Sequence, residues 1–132
     1  MADAVLAIRP ELTDAQLNEL FTASWPEHEP TAFGPVLARS LAWITARRNG
    51  RLVGFVNVVD DGGVHAFILD TTVHPAARRQ GLGVRLVRAA ADEARTQGAQ
   101  WLHVDYQPHL EPFYAQCGFQ PTAAGLLRLR PS

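Results

Sequence analysis

The sequence contains no lysine, only one cysteine and no long apolar run. Because Cys117 has no partner in the chain, no internal disulfide can form, which favours a reducing compartment. No stretch approaches the roughly 18 apolar residues that a membrane-spanning helix needs, and the first residues lack the pattern of a secretory signal. We therefore expect a cytoplasmic protein that does not enter a membrane.

The net charge is small and unevenly distributed. The formal charge of −1 argues against nucleic acid as a partner, because nucleic-acid binding usually needs a basic face. Residues 1–77 hold nine acidic residues and five arginines, whereas residues 78–132 hold four acidic residues and seven arginines. The second part is therefore better suited to an anion, and the first part to a cation.

The order of periodic segments predicts one α+β domain over residues 1–132, with a mixed, mostly antiparallel central sheet flanked by helices. Asn49-Gly50 predicts a hairpin turn between two of the strands. Strands are predicted at residues 5–9, 43–48, 52–59, 64–73 and 101–106, and a terminal hairpin at 119–129. Helices are predicted at residues 14–25, 36–41, 82–97 and 112–117, with a loop at 26–35.

A glycine-containing segment, Arg-Arg-Gln-Gly-Leu-Gly at residues 78–83, lies between a predicted strand and an amphipathic helix. Free N–H groups and the helix dipole at such a position suit a phosphate. A Walker A loop is excluded because the chain has no lysine, and a dinucleotide fingerprint would need glycine where Leu86 stands. Taken alone, the segment is equally consistent with a surface turn.

A second motif, Phe-Tyr-Ala-Gln-Cys-Gly-Phe at residues 113–119, places Tyr114 on a short helix before a Gly-Phe pair. Together with Val-His-Pro at residues 73–75 and the glycine segment, it resembles the GNAT superfamily of N-acetyltransferases over about residues 52–119. The sequence departs from the family at Gln107, where many members have asparagine, and at Pro108 and Pro112, which interrupt the helix.

The resemblance implies the acyl-CoA N-acyltransferase fold, with acetyl-CoA as cosubstrate and no metal. It also implies direct attack of an amine on the thioester in a ternary complex, with Tyr114 as the general acid. In the family, main-chain amides of the glycine segment bind the pyrophosphate, and the preceding strand pairs with the pantetheine arm. The residues that the resemblance implies for cofactor binding are Val73, Arg78, Arg79, Gln80, Gly81, Leu82 and Gly83.

The general base and the acceptor are left open by the sequence. Asp70 is the first candidate for the base because the family often has an acid near this position, and the other candidates are Asp105, His103, Glu27 and His28. Residues 103 and 105 supply two metal ligands at most, which falls short of a site. His74 and Cys117 are interpreted as structural.

The loop at residues 25–33 lies where family members build the acceptor pocket. Trp25, Glu27 and Glu29 suit a small-molecule or peptide amine that carries positive charge. Two alternatives remain, a non-catalytic acyl-CoA-binding module and a transferase that acts on aminoacyl-tRNA, which the charge disfavours. Family members are frequently homodimers, and the sequence shows no interface.

Overall fold

The computed structural model describes residues 3–131. A five-stranded sheet runs in the order β1-β2-β3-β4-β5; β1 to β4 are antiparallel neighbours and β5 is parallel to β4. The strands are β1 (Val5–Ile8), β2 (Ala42–Arg48), β3 (Arg51–Asp60), β4 (His65–Val73) and β5 (Trp101–His103). The helices are α1 (Asp14–Ser24), α2 (Gly34–Ala38), α3 (Leu82–Thr96) and α4 (Glu111–Gln116).

Local sequence signals account for the main elements. Thr13 and Gln16 form a capping box at the start of α1, in which each side chain accepts a hydrogen bond from the other residue's backbone N–H. Asn49 and Gly50 both have positive φ, 52° and 78°, as the tight turn between β2 and β3 requires. In α3 the buried residues recur at helical spacing and form one face: Leu82, Leu86, Val87, Ala90 and Ala94.

Helices cover both faces of the central strands. The buried face of α3 packs with Ile44 and Val56 in one hydrophobic cluster. Leu17, Leu20 and Phe55 belong to a second cluster on the other face, beneath α1. Because β3 contributes to both clusters, seven of its ten residues are buried, as expected for a strand with covered faces. The predicted fold class, a mixed, mostly antiparallel sheet flanked by helices, is confirmed.

Two sequence-based boundaries and one predicted element are wrong. Helix α2 spans Gly34–Ala38 rather than 36–41, because Pro35 fits the first helical turn, where its missing N–H costs no hydrogen bond. Strand β5 ends at His103 rather than at Tyr106. The predicted hairpin at residues 119–129 does not form, because that segment has no residue with positive φ and no element of the described chain pairs with it.

Among the described residues, no helix is long and apolar enough to cross a membrane.

Candidate active site

The loop before α3 turns sharply through two residues in the left-handed conformation. The φ angle is 64° at Arg79 and 75° at Gly81, which is the N-cap of the helix. The first hydrogen bond of α3 runs from Arg85 N to Gly81 O over 3.1 Å, so the N–H groups of the first three helical residues have no intrahelical acceptor. These donors and the positive end of the helix dipole form a cradle suited to an anion.

Gly83 allows α4 to pack directly against the first turn of α3. A Cβ atom at Gly83 would lie 3.0 Å from Cε1 and 3.1 Å from Cζ of Phe113. A glycine without Cβ leaves room for a phosphate to approach the backbone, and the structure shows that Gly83 also leaves room for an aromatic ring. Because Tyr114 follows Phe113, this contact helps to position the tyrosine relative to the cradle.

Three side chains of the cradle segment contact the protein. Arg78 donates a hydrogen bond of 3.1 Å from Nε to the carbonyl oxygen of Val73. The side-chain oxygen of Gln80 accepts a hydrogen bond from Arg48, and the Leu82 side chain is buried in the core. We therefore expect Gln80 and Leu82 to contribute to anion binding through the main chain, as predicted for the segment as a whole.

Strand β4 is bent by a β-bulge. Its register with β3 shifts between Phe55 and Asn57, and Asp70 has a φ angle of 59°, as expected where two residues oppose one on the partner strand. Pairing between β4 and β5 covers only the first three residues of β4. Beyond that point, no described strand pairs with the β5-facing edge of β4.

Val73 presents main-chain groups at this open edge. The N–H of the next residue, His74, is bonded to Val53 O on β3 over 2.8 Å. Because successive residues direct their main-chain groups to alternate sides of a strand, the N–H of Val73 points away from β3. This edge can therefore accept an extended ligand arm through main-chain hydrogen bonds.

Tyr114 lies on α4 opposite the bulge. Its ring is 6% exposed, stacks on Tyr106 at a centroid distance of 4.8 Å, and meets Phe119 edge-on at 5.7 Å. Burial raises the pKa of Tyr114 above its ordinary value, and a side-chain hydrogen bond with Thr71 partly offsets this rise. The contact with Thr71 brings the phenol to β4.

Asp70 combines an unusual backbone with a perturbed carboxyl group. Partial burial by the surrounding protein raises the pKa of Asp70, although the residue as a whole retains solvent access. A carboxylate whose pKa is raised accepts a proton more readily than an ordinary aspartate. The adjacent Thr71 interacts with Tyr114, so Asp70 is one residue along β4 from the position that faces the phenol.

Trp25 connects the loop after α1 to the bulge. Its Nε1 donates a hydrogen bond of 3.2 Å to Oγ1 of Thr72, and this hydroxyl donates one of 2.8 Å to the carbonyl oxygen of Asp70. The Trp25 side chain is half exposed. The loop predicted to meet the acceptor therefore begins next to Asp70.

Two of the other candidate bases are held by neighbouring side chains. His103 Nε2 lies 2.8 Å from His65 Nδ1, and its ring stacks on Phe67 at a centroid distance of 4.5 Å. His28 Nε2 lies 2.8 Å from Oδ1 of Asn18. Both imidazoles are thus engaged in contacts that do not involve the bulge.

The two remaining candidates are carboxylates. Asp105 follows β5, and its negative charge contributes to the raised pKa of Tyr114, so it lies near the phenol. Glu27 and Glu29 are exposed in the loop that begins at Trp25. The structure therefore favours Asp70 and Asp105 by position and leaves Glu27, the last candidate, as a surface charge in the loop.

His74 and Cys117 have surroundings that fit structural roles. His74 Nδ1 accepts a hydrogen bond of 3.0 Å from Ala76 N, and the pKa of His74 is lowered, first by burial and then by the nearby Arg51. Burial raises the pKa of the Cys117 thiol, which favours the unreactive protonated form. Within residues 3–131, no group of three or more His, Cys, Asp or Glu side chains could hold a metal ion.

Sequence reasoning missed Thr71, Thr72 and the contact between Gly83 and Phe113. A signal for the threonines was present, because Asp70, Thr71 and Thr72 are three consecutive polar residues within a predicted strand. Such a run breaks the alternation of a regular strand and indicates a bulge. The glycine contact has no sequence signal, since it joins residues that are remote along the chain.

Residues 14–119 match the acetyltransferase (GNAT) family. The chain is 40% identical over 58 residues to a probable glucosamine 6-phosphate N-acetyltransferase 2 of rice, Oryza sativa subsp. japonica, a match that covers 44% of this chain and 35% of that protein. It is 33% identical over 89 residues to a mycothiol acetyltransferase of Nocardia farcinica, covering 67% of this chain and 29% of that protein. The matches thus span about a third of these curated relatives.

Solved structures show the same fold over nearly the whole chain. A putative acetyltransferase from Deinococcus radiodurans has a TM-score of 0.82 and 28% identity, with 97% of this chain and 90% of that chain covered. Structures with TM-scores of 0.75 and 0.73, at 19% and 21% identity, are complexes with CoA. The overall fold is therefore shared with proteins whose structures contain CoA.

Proposed function

Since the chain belongs to the acetyltransferase (GNAT) family, we propose that it transfers an acetyl group from acetyl-CoA to a primary amine by direct attack in a ternary complex. One observation carries the proposal: the anion cradle before α3, the open edge of β4 and the buried Tyr114 are joined by direct contacts. Gly83 contacts Phe113, and Tyr114 contacts Thr71 on β4. Adjacent elements can therefore bind a diphosphate, pair with an extended ligand arm and supply an acid that protonates the leaving group.

The cofactor is proposed to bind through the main chain. The free N–H groups that follow Gly81 receive the pyrophosphate, and the exposed Arg79 adds positive charge. The pantetheine arm pairs with the open edge of β4, and the N–H of Val73 donates toward the thioester carbonyl. This donor stabilises the negative charge that develops on the carbonyl oxygen during attack.

The chemical step moves two protons. The amine attacks the thioester carbonyl carbon, the C–N bond forms, and the C–S bond breaks as the tetrahedral intermediate collapses. Tyr114, which is buried and protonated at neutral pH, gives its proton to the departing thiolate as the C–S bond breaks. Asp70 takes the proton released from the amine, directly or through water.

The acceptor is proposed to be a small molecule with a primary amine. It would enter between the loop that begins at Trp25 and the bulge at Asp70, which the hydrogen bonds through Thr72 hold together. The indole face and the nearby Glu27 suit a cation. The matched relatives, by their names, acetylate glucosamine 6-phosphate and mycothiol, so an amino sugar is the first class to test.

The proposed location is the cytoplasm. Cys117 is the chain's single cysteine and is a free thiol, which is typical of proteins from reducing compartments.

Two measurements test the proposal. Binding of acetyl-CoA and CoA is measured by calorimetry, and thiol release is followed across a panel of amino sugars, polyamines, amino acids and peptides. Turnover with at least one amine, together with saturable binding, is the expected result. Binding without turnover on every acceptor would favour the non-catalytic acyl-CoA-binding module, and the absence of binding would contradict both functions.

A further inference from the structure

The turn between β2 and β3 concentrates positive charge. Arg48 and Arg51 are direct cross-strand partners on either side of Asn49-Gly50, and Arg47 precedes them in the chain. Like charges directly opposite each other destabilise a strand pair. The whole chain has a formal charge of −1, so these arginines form a local excess of positive charge that an anion would offset.

His74 and Arg51 present hydrogen-bond donors to each other. His74 Nδ1 accepts a hydrogen bond from Ala76 N over 3.0 Å, so the hydrogen of the neutral ring is on Nε2. Arg51 Nη2 lies 3.5 Å from this Nε2, and a guanidinium can only donate. Neither group can accept from the other, so a single acceptor that contacts both atoms would satisfy both donors. Nδ1 of His74 thus holds the local turn, and Nε2 remains for a ligand.

The nearby acid compensates this charge only weakly. Glu19 Oε1 lies 3.6 Å from Arg51 Nη2, which is too long for a hydrogen bond. The two side chains are 70% and 61% exposed, and ion pairs between exposed groups contribute little. The pKa of His74 is lowered first by burial and then by Arg51 and Arg78, and Glu19 opposes this only in part. The electrostatic potential around His74 is therefore positive.

Two cavities share Arg51 and His74 in their walls. The smaller has a volume of about 160 Å³ and is also lined by Glu19 and Arg47. The larger has a volume of about 340 Å³, and its other lining residues are Arg48, Asn49, Val53, Ala76 and Ala77. A volume of about 300 Å³ or more is typical of sites for small molecules, so there is space for a ligand beside the two donors.

Both cavities lie on the β3 side of the end of β4. The N–H of His74 is bonded to Val53 O on β3, and Val53 lines the larger cavity. The edge proposed for the pantetheine arm is on the opposite side of β4, toward β5. Arg48 donates a hydrogen bond to Gln80, so the turn between β2 and β3 also contacts the cradle segment. The cavities therefore adjoin the cradle segment but are separate from the open edge of β4.

We propose that Arg48, Arg51 and His74 form a second anion site, which binds the phosphate group of a small phosphorylated ligand independently of acetyl-CoA. The phosphate accepts hydrogen bonds from the Arg51 guanidinium and from Nε2–H of His74, and the rest of the ligand occupies the larger cavity. Contacts between arginine and phosphate are charge-assisted and are often bidentate. Because Arg48 also contacts Gln80, the bound phosphate lies next to the segment proposed to bind the cofactor.

The site is tested with inorganic phosphate as the probe. In a ¹H–¹⁵N NMR titration at neutral pH and constant ionic strength, with chloride replaced by phosphate, saturable shifts are expected for the amides of residues 48–51 and 74–77. Arg51→Gln should weaken the apparent affinity about tenfold, as expected for the loss of a hydrogen bond to a charged group. Arg51→Lys, which keeps the charge, should bind phosphate more tightly than Arg51→Gln.

The matched control is Arg39→Gln. Arg39 is exposed and precedes the end of β2 that is remote from the turn, so this variant loses one positive charge elsewhere and should bind phosphate like the wild-type protein. The Arg51 side chain is also largely exposed, so its substitution leaves the core intact. Shifts that rise without saturation, or equal affinities for the wild-type protein and Arg51→Gln, overturn the proposal.

Saturating CoA and dephospho-CoA separate this site from the phosphates of the cofactor. The phosphate-induced shifts at residues 48–51 should persist with either compound bound. Loss of the shifts with both compounds would assign phosphate binding to the cradle, and loss with CoA alone would assign it to the 3′-phosphate of the cofactor; either result overturns the proposal. Because the first titration contains no cofactor, a failure to bind acetyl-CoA would contradict the proposed function and leave the phosphate result unaffected.

Discussion

Gly83 and Phe113 approach so closely that a side chain at position 83 would press on the ring of Phe113, on the helix that carries Tyr114. The nearest ring carbon lies 3.0 Å from the position of a Cβ atom at Gly83. The two recognisable motifs of the sequence are thus in contact, and the geometry of one depends on the other. Substitutions in the glycine segment therefore act on packing as well as on anion binding.

We expect Gly83→Asp to abolish acetyl-CoA binding. The added carboxylate would oppose the pyrophosphate at the helix N-terminus, where negative charge from a ligand is otherwise favoured. Calorimetric titration with acetyl-CoA measures the loss. The matched control is Gly83→Ala, which introduces the same Cβ contact with Phe113 without the charge and should lower the melting temperature but retain measurable affinity. Equal affinities for the two variants would contradict the placement of the pyrophosphate.

We expect Tyr114→Phe to lower kcat by about 10²-fold or more, the usual range for loss of a general acid. The affinity for acetyl-CoA should be nearly unchanged, because the ring and its packing on Tyr106 are kept. Steady-state kinetics and calorimetry separate the two effects. Tyr106→Phe is the control, since it removes a neighbouring phenol and should leave kcat within a few-fold of wild type. An unchanged rate for Tyr114→Phe would remove this residue from the mechanism.

The pH dependence of kcat/KM should have an acidic limb set by Asp70. Because partial burial raises its pKa, the carboxylate form is lost on the acidic side at a higher pH than for an ordinary aspartate, and activity falls with it. Asp70→Asn should lower the rate and flatten this limb. Persistence of the limb in Asp70→Asn, with its loss in Asp105→Asn, would transfer the role of base to Asp105.

Asp70→Asn should also change the thermal stability, in a direction set by the raised pKa of Asp70. A carboxyl whose pKa is raised on folding favours the folded state below its unfolded pKa, and this contribution is lost as pH rises through the folded value. At neutral pH the charged, partly buried Asp70 therefore opposes folding, and Asp70→Asn should raise the melting temperature. Thermal denaturation at pH 7.5 and below pH 4 should show the gain at the higher pH only. A gain of equal size at both values would exclude a titration effect.

We expect Thr72→Val to raise the KM for the amine more than it changes the affinity for acetyl-CoA. The hydroxyl links the Trp25 indole to the Asp70 carbonyl, so its loss frees the acceptor loop from the bulge at a cost of about 1 kcal/mol in stability. Thr71→Val is the comparison, since it removes the contact with Tyr114 instead and should act on kcat. The prediction fails if the two variants have the same kinetic signature.

The sequence by itself determined the elements whose signals are local. The capping box of Thr13, the Asn49-Gly50 turn and the apolar face of α3 each depend on residues close together in the chain, and the turn and the amphipathic helix form as predicted. The family was recognisable for the same reason, because its two motifs are short and continuous. The exact roles of Tyr114 and Asp70 stay predictions that the experiments above address.

Tertiary structure decided the features that join remote residues. The bulge at Asp70 depends on pairing with β3, the room at Gly83 is set by Phe113, and the link from Trp25 to Thr72 spans α1 to β4. The hairpin predicted at residues 119–129 does not form for a related reason. A strand pattern indicates that a segment can pair, but the available sheet edges determine which strand it pairs with. The local sequence determines the propensity of a segment for helix or strand, whereas its pairing and packing partners are determined only by the tertiary structure.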